Sequence, residues 1–137
     1  MRFVLPILGG LVVCPHAASA EQYCWVGGFK FEQGRPVETT MKVVISTVLR
    51  PKASMGRKPA DLCNLAFRSS SPFYMPITIT QKPRRGELDY DSYSIGYRSM
   101  KVGRDKFAFI VHHMDHRTNK VVDTPVSVNV EVVAQPF

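Results

Sequence analysis

Three stretches between residues 77 and 133 decide the fold: ITITQKPRRGELDY (77–90), YSIGYRSMKVGRDKFAFIV (93–111) and TPVSVNVEVV (124–133). In each stretch apolar residues alternate with polar ones, and residues typical of turns, such as Pro83 and Gly86, separate the alternating runs. Successive side chains of a β-strand point to opposite faces of the sheet. The alternation therefore predicts strands with one buried and one solvated face.

The first half of the chain carries weaker strand patterns. Runs from Met41 to Leu49 and from Leu62 to Phe67 are rich in residues typical of pleated, half-buried surfaces. The segment RPKASMGRKPA (50–60) contains prolines, a glycine and basic residues, which predicts an exposed loop. Many short strands, closely spaced turns and no amphipathic helix favour two sheets packed face to face. We expect an all-β sandwich of about seven to eight antiparallel strands.

The first twenty residues have the pattern of a cleavable signal peptide. Arg2 gives a positive start, Phe3–Val13 an apolar stretch, and Ala18–Ala20 a small-residue cleavage site. The apolar stretch is shorter than the roughly 20 apolar residues that a membrane-spanning helix needs. We therefore expect a signal peptide over residues 1–20 and one mature domain over residues 21–137, periplasmic or secreted and without a transmembrane segment.

The chain has three cysteines, Cys14, Cys24 and Cys63. Cys14 belongs to the predicted signal peptide. Its lipidation is an alternative that we disfavour, because Val13 is bulky where a lipobox normally has Gly, Ala or Ser. Cys24 and Cys63 remain as an even pair, which predicts a disulfide in an oxidising compartment. Two buried free thiols are the alternative interpretation.

Basic residues outnumber acidic ones, with 18 Lys and Arg against 11 Asp and Glu and a formal net charge of +7. A basic exported domain favours anionic neighbours, such as lipid head groups, acidic polysaccharide or an acidic protein face, whereas nucleic acid is not expected after export. Because the loops of a sandwich gather at its ends, some basic residues can form one patch. The candidate residues for binding an anionic partner are Arg50, Lys52, Arg57, Lys58, Lys82, Arg84, Arg85, Arg98, Lys101 and Arg104. The alternative is that the charge only keeps the protein soluble.

The segment HHMDH (112–116) gathers side chains with metal-ligand chemistry within five residues. The candidate metal ligands are His112, His113, Asp115 and His116. The segment falls where a strand leaves the core for a hairpin, and no paired ligands accompany it elsewhere in the sequence. Structural or solvated histidines are therefore the preferred interpretation, with a metal site as the alternative.

Two motifs carry a family resemblance: ITQKPRRGEL (79–88), with a strand, a Pro, a basic pair and a turn Gly, and YRSMKVGRDKF (97–107), which ends in G-x-D-x-F. With the closing valines, residues 77–133 resemble the bacterial Ig-like modules related to cadherin-like repeats, as in small single-domain exported proteins of alphaproteobacteria. The resemblance implies an Ig-like β-sandwich and no established reaction. The chain departs from the family at Ser99-Met100, where a Pro is frequent, and in being a single module.

Two residues of the second motif have a clear conformational role. Gly103 suits a turn that needs a positive φ, because glycine has no Cβ. Asp105 can cap backbone N–H groups in that turn.

The sequence lacks a nucleophile elbow, a Gly-rich phosphate loop and a dinucleotide fingerprint. We therefore expect a non-enzymatic exported binding or structural module of the cell envelope, without a cofactor. Its expected partner is an envelope protein or an anionic polysaccharide or lipid, and a sheet edge could recruit a protein by strand addition. The alternative is a periplasmic metal-binding protein or metal-dependent enzyme that uses the segment 112–116.

Overall fold

A computed structural model of the protein describes residues 20–28, 31–47, 59–67, 74–92 and 94–134. Residues 1–19 of the predicted signal peptide lie outside these ranges, as do the candidate residues Arg50, Lys52, Arg57 and Lys58. Within the described residues, no helix has the length and apolar character that crossing a membrane requires.

The described part of the chain forms eight β-strands. They are β1 (Glu21–Val26), β2 (Val37–Ser46), β3 (Cys63–Ala66), β4 (Tyr74–Gln81), β5 (Glu87–Tyr90), β6 (Ser94–Arg98), β7 (Gly103–Asp115) and β8 (Lys120–Ala134). Along β8, every second residue from Thr124 to Val132 is buried, and the residues between them are exposed or half-buried. The all-β prediction and the alternation of buried and solvated faces are therefore confirmed.

The strands are arranged in two sheets in a sandwich-like fold. One has five strands in the order β1-β2-β8-β7-β4, and the other has three in the order β3-β6-β5. One pairing differs from the expected antiparallel pattern, because β2 and β8 run parallel from Val37 beside Val126 to Ile45 beside Ala134. Parallel neighbours need a long connection, and here most of the chain provides it. A local sequence pattern carries no sign of such a pairing.

Aromatic side chains join the two sheets across the core. The fully buried ring of Tyr97 on β6 stacks on Phe107 of β7, with ring centroids 5.7 Å apart. Phe67, which follows β3, contacts Phe109 of β7 at 5.6 Å. Such ring contacts add stabilisation beyond the apolar area that they bury. The alternate valines of β8 complete the same core cluster.

The predicted disulfide between Cys24 and Cys63 is confirmed. It joins β1 of the larger sheet to β3 of the smaller one, with the two Cα atoms 5.4 Å apart. The cross-link spans 39 positions of sequence, for which loop-closure entropy in the unfolded chain predicts a stabilisation of about 4 kcal/mol. It ties the edge of one sheet to the edge of the other.

Candidate functional site

One end of the sandwich carries the described residues of the predicted anion-binding set. This region, called the basic end below, consists of the turn at 82–86, the loop at 99–102 and the first residues of β7. The candidate residues that lie on it are Lys82, Arg84, Arg85, Lys101 and Arg104, and Arg98 borders it at the end of β6. The basic end is organised around one acidic side chain, that of Asp105.

The Asp105 carboxylate holds the turn between β4 and β5. Its Oδ1 accepts a hydrogen bond from the backbone N–H of Arg84 at 2.8 Å, and its Oδ2 accepts from Arg85 and Gly86 at 3.0 Å each. These donors precede Asp105 by 19 to 21 positions. Three consecutive N–H groups that face one carboxylate fix both the position and the conformation of the turn.

Two further donors complete the surroundings of this carboxylate. The hydroxyl of the buried Tyr97 donates to Oδ2 at 2.8 Å, and the backbone N–H of Lys106 donates to Oδ1 at 2.9 Å. The sequence predicts that Asp105 caps its own turn, but the structure makes only the Lys106 bond local. The other backbone bonds serve the turn at 84–86 on a different connection, which the sequence did not predict.

Hydrogen bonding keeps Asp105 ionised although its side chain is mostly buried. Burial alone would raise the pKa of Asp105, but the donors from Arg84, Tyr97, Arg85 and Lys106 outweigh it and lower that pKa below its ordinary 3.8. For Tyr97, burial and then the hydrogen bond to Asp105 raise the pKa of the hydroxyl well above its ordinary 10.0. At neutral pH the pair is therefore a fixed carboxylate and a fixed hydroxyl donor.

Glycines allow the close approaches at this end. A Cβ placed on Gly86 would overlap the ring of Tyr97, so the turn reaches Asp105 only without a side chain there. Gly103 has a φ of +140°, and a Cβ on it would lie 2.9 Å from Cζ of Arg85. The prediction of a positive φ at Gly103 is confirmed, and both positions favour glycine.

The basic side chains divide into two groups. Arg85 donates from Nη1 to the carbonyl of Val102 at 3.2 Å, and Arg98 forms an exposed ion pair with Glu87 at 3.2 Å. These two arginines make contacts within the protein. Lys82 lines a different depression, beside Pro83 and Leu88, and Lys101 is exposed in the loop at 99–102.

The second group lines a shared groove. Arg84 and Arg104 border it together with Lys106, Gln81 and Asn129. The candidate set omits Lys106, although the alternation along β7 places it on the same face as Arg104, two positions away. The structure therefore brings Arg84 beside two cations of β7, a proximity that follows from the Asp105 hydrogen bonds and not from sequence spacing.

The histidine segment lies at the far end of β7. His112 is half-buried, with Nδ1 2.6 Å from Oδ1 of Asp123 and Nε2 2.8 Å from Oγ1 of Thr78. The next residue, His113, points into the core and is fully buried. Burial lowers the pKa of His113 below its ordinary 6.5, although the negative charges of Asp115 and Asp123 act to raise it.

The remaining candidate ligands lie beyond these two histidines. Asp115 accepts a hydrogen bond from the backbone N–H of Arg117 at 2.9 Å, and His116 is exposed in the hairpin turn. Across the part of the chain that the structure describes, no group of three or more His, Cys, Asp or Glu side chains is arranged to hold a metal ion. A site that used His112 and His113 together would have to gather side chains from opposite faces of β7. Metal binding here stays a prediction.

Comparison with known proteins does not assign this chain to a class, so its class has to be argued from its geometry. No protein-family model matches the chain, and no curated protein and no solved structure matches it. The fold is an all-β, sandwich-like arrangement of two sheets with an inter-sheet disulfide. Its distinctive feature is the basic end built on Asp105.

Proposed function

We propose that this protein is an exported, non-enzymatic Ig-like module of the cell envelope that binds an anionic component through its basic end. The observation that carries the proposal is the Asp105 carboxylate, which holds the turn at 84–86 against β7. Arg84 is thereby placed in one groove with Arg104 and Lys106.

The strand order supports the Ig-like assignment. In a constant-type immunoglobulin sandwich, strands C, F and G share one sheet, and strands B, E and D are neighbours in the other. Taking β3 to β8 as B to G, with β4 as C and β5 as D, reproduces both groups: β4, β7 and β8 are adjacent, as are β3, β6 and β5. The disulfide differs, since it joins β1 to β3 and not B to F.

The charge balance of the groove supports an anionic ligand. None of the ion pairs formed within the described residues involves Arg84, Arg104 or Lys106. The carboxylate that lines the same groove belongs to Asp105, whose oxygens already accept hydrogen bonds. An arginine fork matches carboxylate, sulfate or phosphate oxygens, and the attraction of such a cluster weakens as salt screens it.

The chemistry of this end supports binding and not catalysis. Asp105 is held ionised by donors that occupy both of its oxygens, so it has no free lone pair aimed at a substrate proton. Export is supported by the disulfide, because such cross-links persist in oxidising compartments.

The test is elution from immobilised heparin, a generic anionic polymer, in rising salt. Replacing Arg84 and Arg104 together by Gln should move elution to markedly lower salt. The matched control replaces Arg117 and Lys120 by Gln, which removes the same charge from the opposite end of the β7–β8 hairpin and should change elution little. Equal shifts for both variants, or elution of the unmodified protein where a neutral protein elutes, would contradict the proposal.

A further inference from the structure

The basic end continues into a row of side chains across the outer face of the five-stranded sheet. Trp25 of β1 is in register with Lys42 of β2, Lys42 with Glu131 of β8, and Glu131 with Arg104 of β7. Residues in register on neighbouring strands point to the same side of a sheet. Since the adjacent Met41 and Val130 belong to the core cluster, this row faces outward.

A groove follows this row and joins the one at the basic end. It has a volume of about 580 Å³, and its lining includes Trp25, Lys42, Asn129 and Glu131 as well as Arg104. Arg104 and Asn129 also line the groove that holds Arg84 and Lys106, so the two grooves adjoin each other. Together they form the sheet groove, which crosses the five strands and is about 19 Å long at the usual strand spacing.

The sheet groove offers three kinds of contact. Four cations, Lys42, Arg84, Arg104 and Lys106, line it, together with the outward-facing carboxylate of Glu131. The exposed carboxylate of Glu38 lies beside the groove and accepts a hydrogen bond from Nδ2 of Asn129 at 3.1 Å. The amide of Asn129 and the exposed hydroxyl of Thr40 lie between them. At the β1 end is the half-buried ring of Trp25, the one tryptophan of the chain.

We infer that the anionic component of the proposed function is an acidic polysaccharide that lies across the sheet groove. A sugar ring packs against the indole of Trp25, and carboxylate or sulfate groups further along the chain bind Arg104, Lys106 and Arg84. Sugar hydroxyls hydrogen-bond with Asn129, Thr40 and the carboxylate of Glu131, which gives that acidic side chain a role among the cations. The inference rests on the proposed function and specifies its ligand.

A membrane surface fits the groove less well. A protein that binds at a lipid interface inserts apolar side chains beside its cations. The large apolar side chains that are exposed in the described residues are Tyr90, Met100, Val102 and Val121. Met100 and Val102 lie in the loop at 99–102 of the basic end, but none of the four lines the sheet groove. A bare polyanion, such as polyphosphate, would use the cations but would gain nothing from the indole.

The fluorescence of Trp25 tests the inference directly, because no other tryptophan contributes to the signal. The probes are alginate oligosaccharide, inorganic polyphosphate and phosphatidylglycerol vesicles. Titration with alginate should change the emission of the unmodified protein in a saturable way. Trp25→Ala should weaken alginate binding about tenfold, equivalent to ~1.4 kcal/mol, and leave polyphosphate binding unchanged. Trp25→Tyr, which keeps an aromatic ring, should retain most of the affinity.

The outcomes separate this inference from the proposed function. If polyphosphate or vesicles bind at least as tightly as alginate, or if alginate binds without changing the emission, the polysaccharide inference is wrong while the basic end still binds anions. If none of the three probes binds, both are wrong. If Trp25→Ala fails to fold, the change in emission of the unmodified protein on titration with alginate still tests the inference.

Discussion

Strand β7 has an ionisable side chain on its core-facing side near each end, Asp105 at the start and His113 eight positions later. Asp105 accepts hydrogen bonds from three backbone N–H groups of a distant turn and from the hydroxyl of Tyr97. His113 is fully buried among the packed side chains of the strand ends. One position stabilises the charged form of its side chain, and the other stabilises the neutral form.

The difference shows that the position in an alternating pattern sets burial but not ionisation. For Asp105, the hydrogen bonds overcome the cost of burial and lower the pKa. For His113, burial outweighs the attraction of Asp115 and Asp123 and also lowers the pKa. A lowered pKa therefore keeps the Asp105 carboxyl charged, whereas a lowered pKa keeps the His113 imidazole neutral.

The largest effect is expected from Asp105→Ala. The variant removes the acceptor of five hydrogen bonds and leaves the N–H groups of the turn at 84–86 without it. We expect the free energy of unfolding to fall by about 3–5 kcal/mol, measured by urea denaturation at pH 7. Asp123→Ala, at the exposed carboxylate beside His112, is the control and should cost less than about 1 kcal/mol. Equal losses of unfolding free energy for the two variants would show that the buried carboxylate of Asp105 contributes no more to stability than the exposed carboxylate of Asp123.

A second variant tests the close approach that the Asp105 site requires. Gly86→Ala would place a methyl group against the ring of Tyr97 and should cost about 2 kcal/mol in the same measurement. Gly28→Ala is the matched control, because a Cβ on Gly28 meets nothing within 4 Å. A Gly86→Ala protein as stable as the control would mean that the turn does not need to pack against Tyr97.

The pH dependence of stability should separate the two ends. The unfolded chain protonates His113 near its ordinary pKa of 6.5, and the folded protein resists this, so the His113 end loses stability as the pH falls below about 6.5. The contribution of Asp105 is present in full above its ordinary 3.8 and is lost only as the pH falls through its lowered folded pKa. Denaturation at stepped pH should therefore show two acid-induced decreases.

Variants of His113 and its neighbour assign the first of these decreases. His113→Leu should abolish the loss of stability just below pH 6.5, and His116→Gln, in the exposed hairpin turn, should preserve it. If the His113→Leu protein shows the same decrease as the unmodified protein, another group is responsible for it.

The smallest effect is expected at the surface of the basic end. The ion pair of Arg98 with Glu87 joins side chains that are 49% and 79% exposed. Water and salt screen such pairs, so Arg98→Gln should change the free energy of unfolding by less than about 0.5 kcal/mol. A loss close to that of Asp105→Ala would show that the surface pair, and not the buried carboxylate, holds this end together.

Much of the fold was predictable from short-range pattern. The alternation in β7 and β8 identified their strands and core faces, and the even pair of cysteines identified the disulfide. The parallel pairing of β2 with β8 was not predictable, because strand partners are chosen by the whole core and not by residues within one strand. The predicted extent of β3 was slightly too long, since the strand occupies Cys63–Ala66.

The candidate site was predictable in composition but not in arrangement. Basic residues near Gly86 and Gly103 could be counted, yet nothing local reveals that Arg85 and Arg98 contact other residues of the protein while Arg84 lines a groove. The turn N–H groups that donate to Asp105 lie 19 to 21 positions earlier in the chain, and strand periodicity does not relate residues that far apart. Trp25 likewise lies beside Lys42, and in the same row as Arg104, only because of the sheet register.

The pairing of β2 with β8 has a consequence for the order in which the protein assembles. Within the five-stranded sheet, β1 is attached through β2, and β2 is attached to the rest through β8. The sheet therefore cannot close until β8, which begins at Lys120, has reached β2, which ends at Ser46, and such pairing of strands far apart in the chain gives slow, non-local folding. Truncating the chain within β8 would detach β1 and β2 together from the larger sheet and leave them joined to the segment around β3 by the disulfide and by the hydrogen bonds of Gln22 with Ala60 and Asp61.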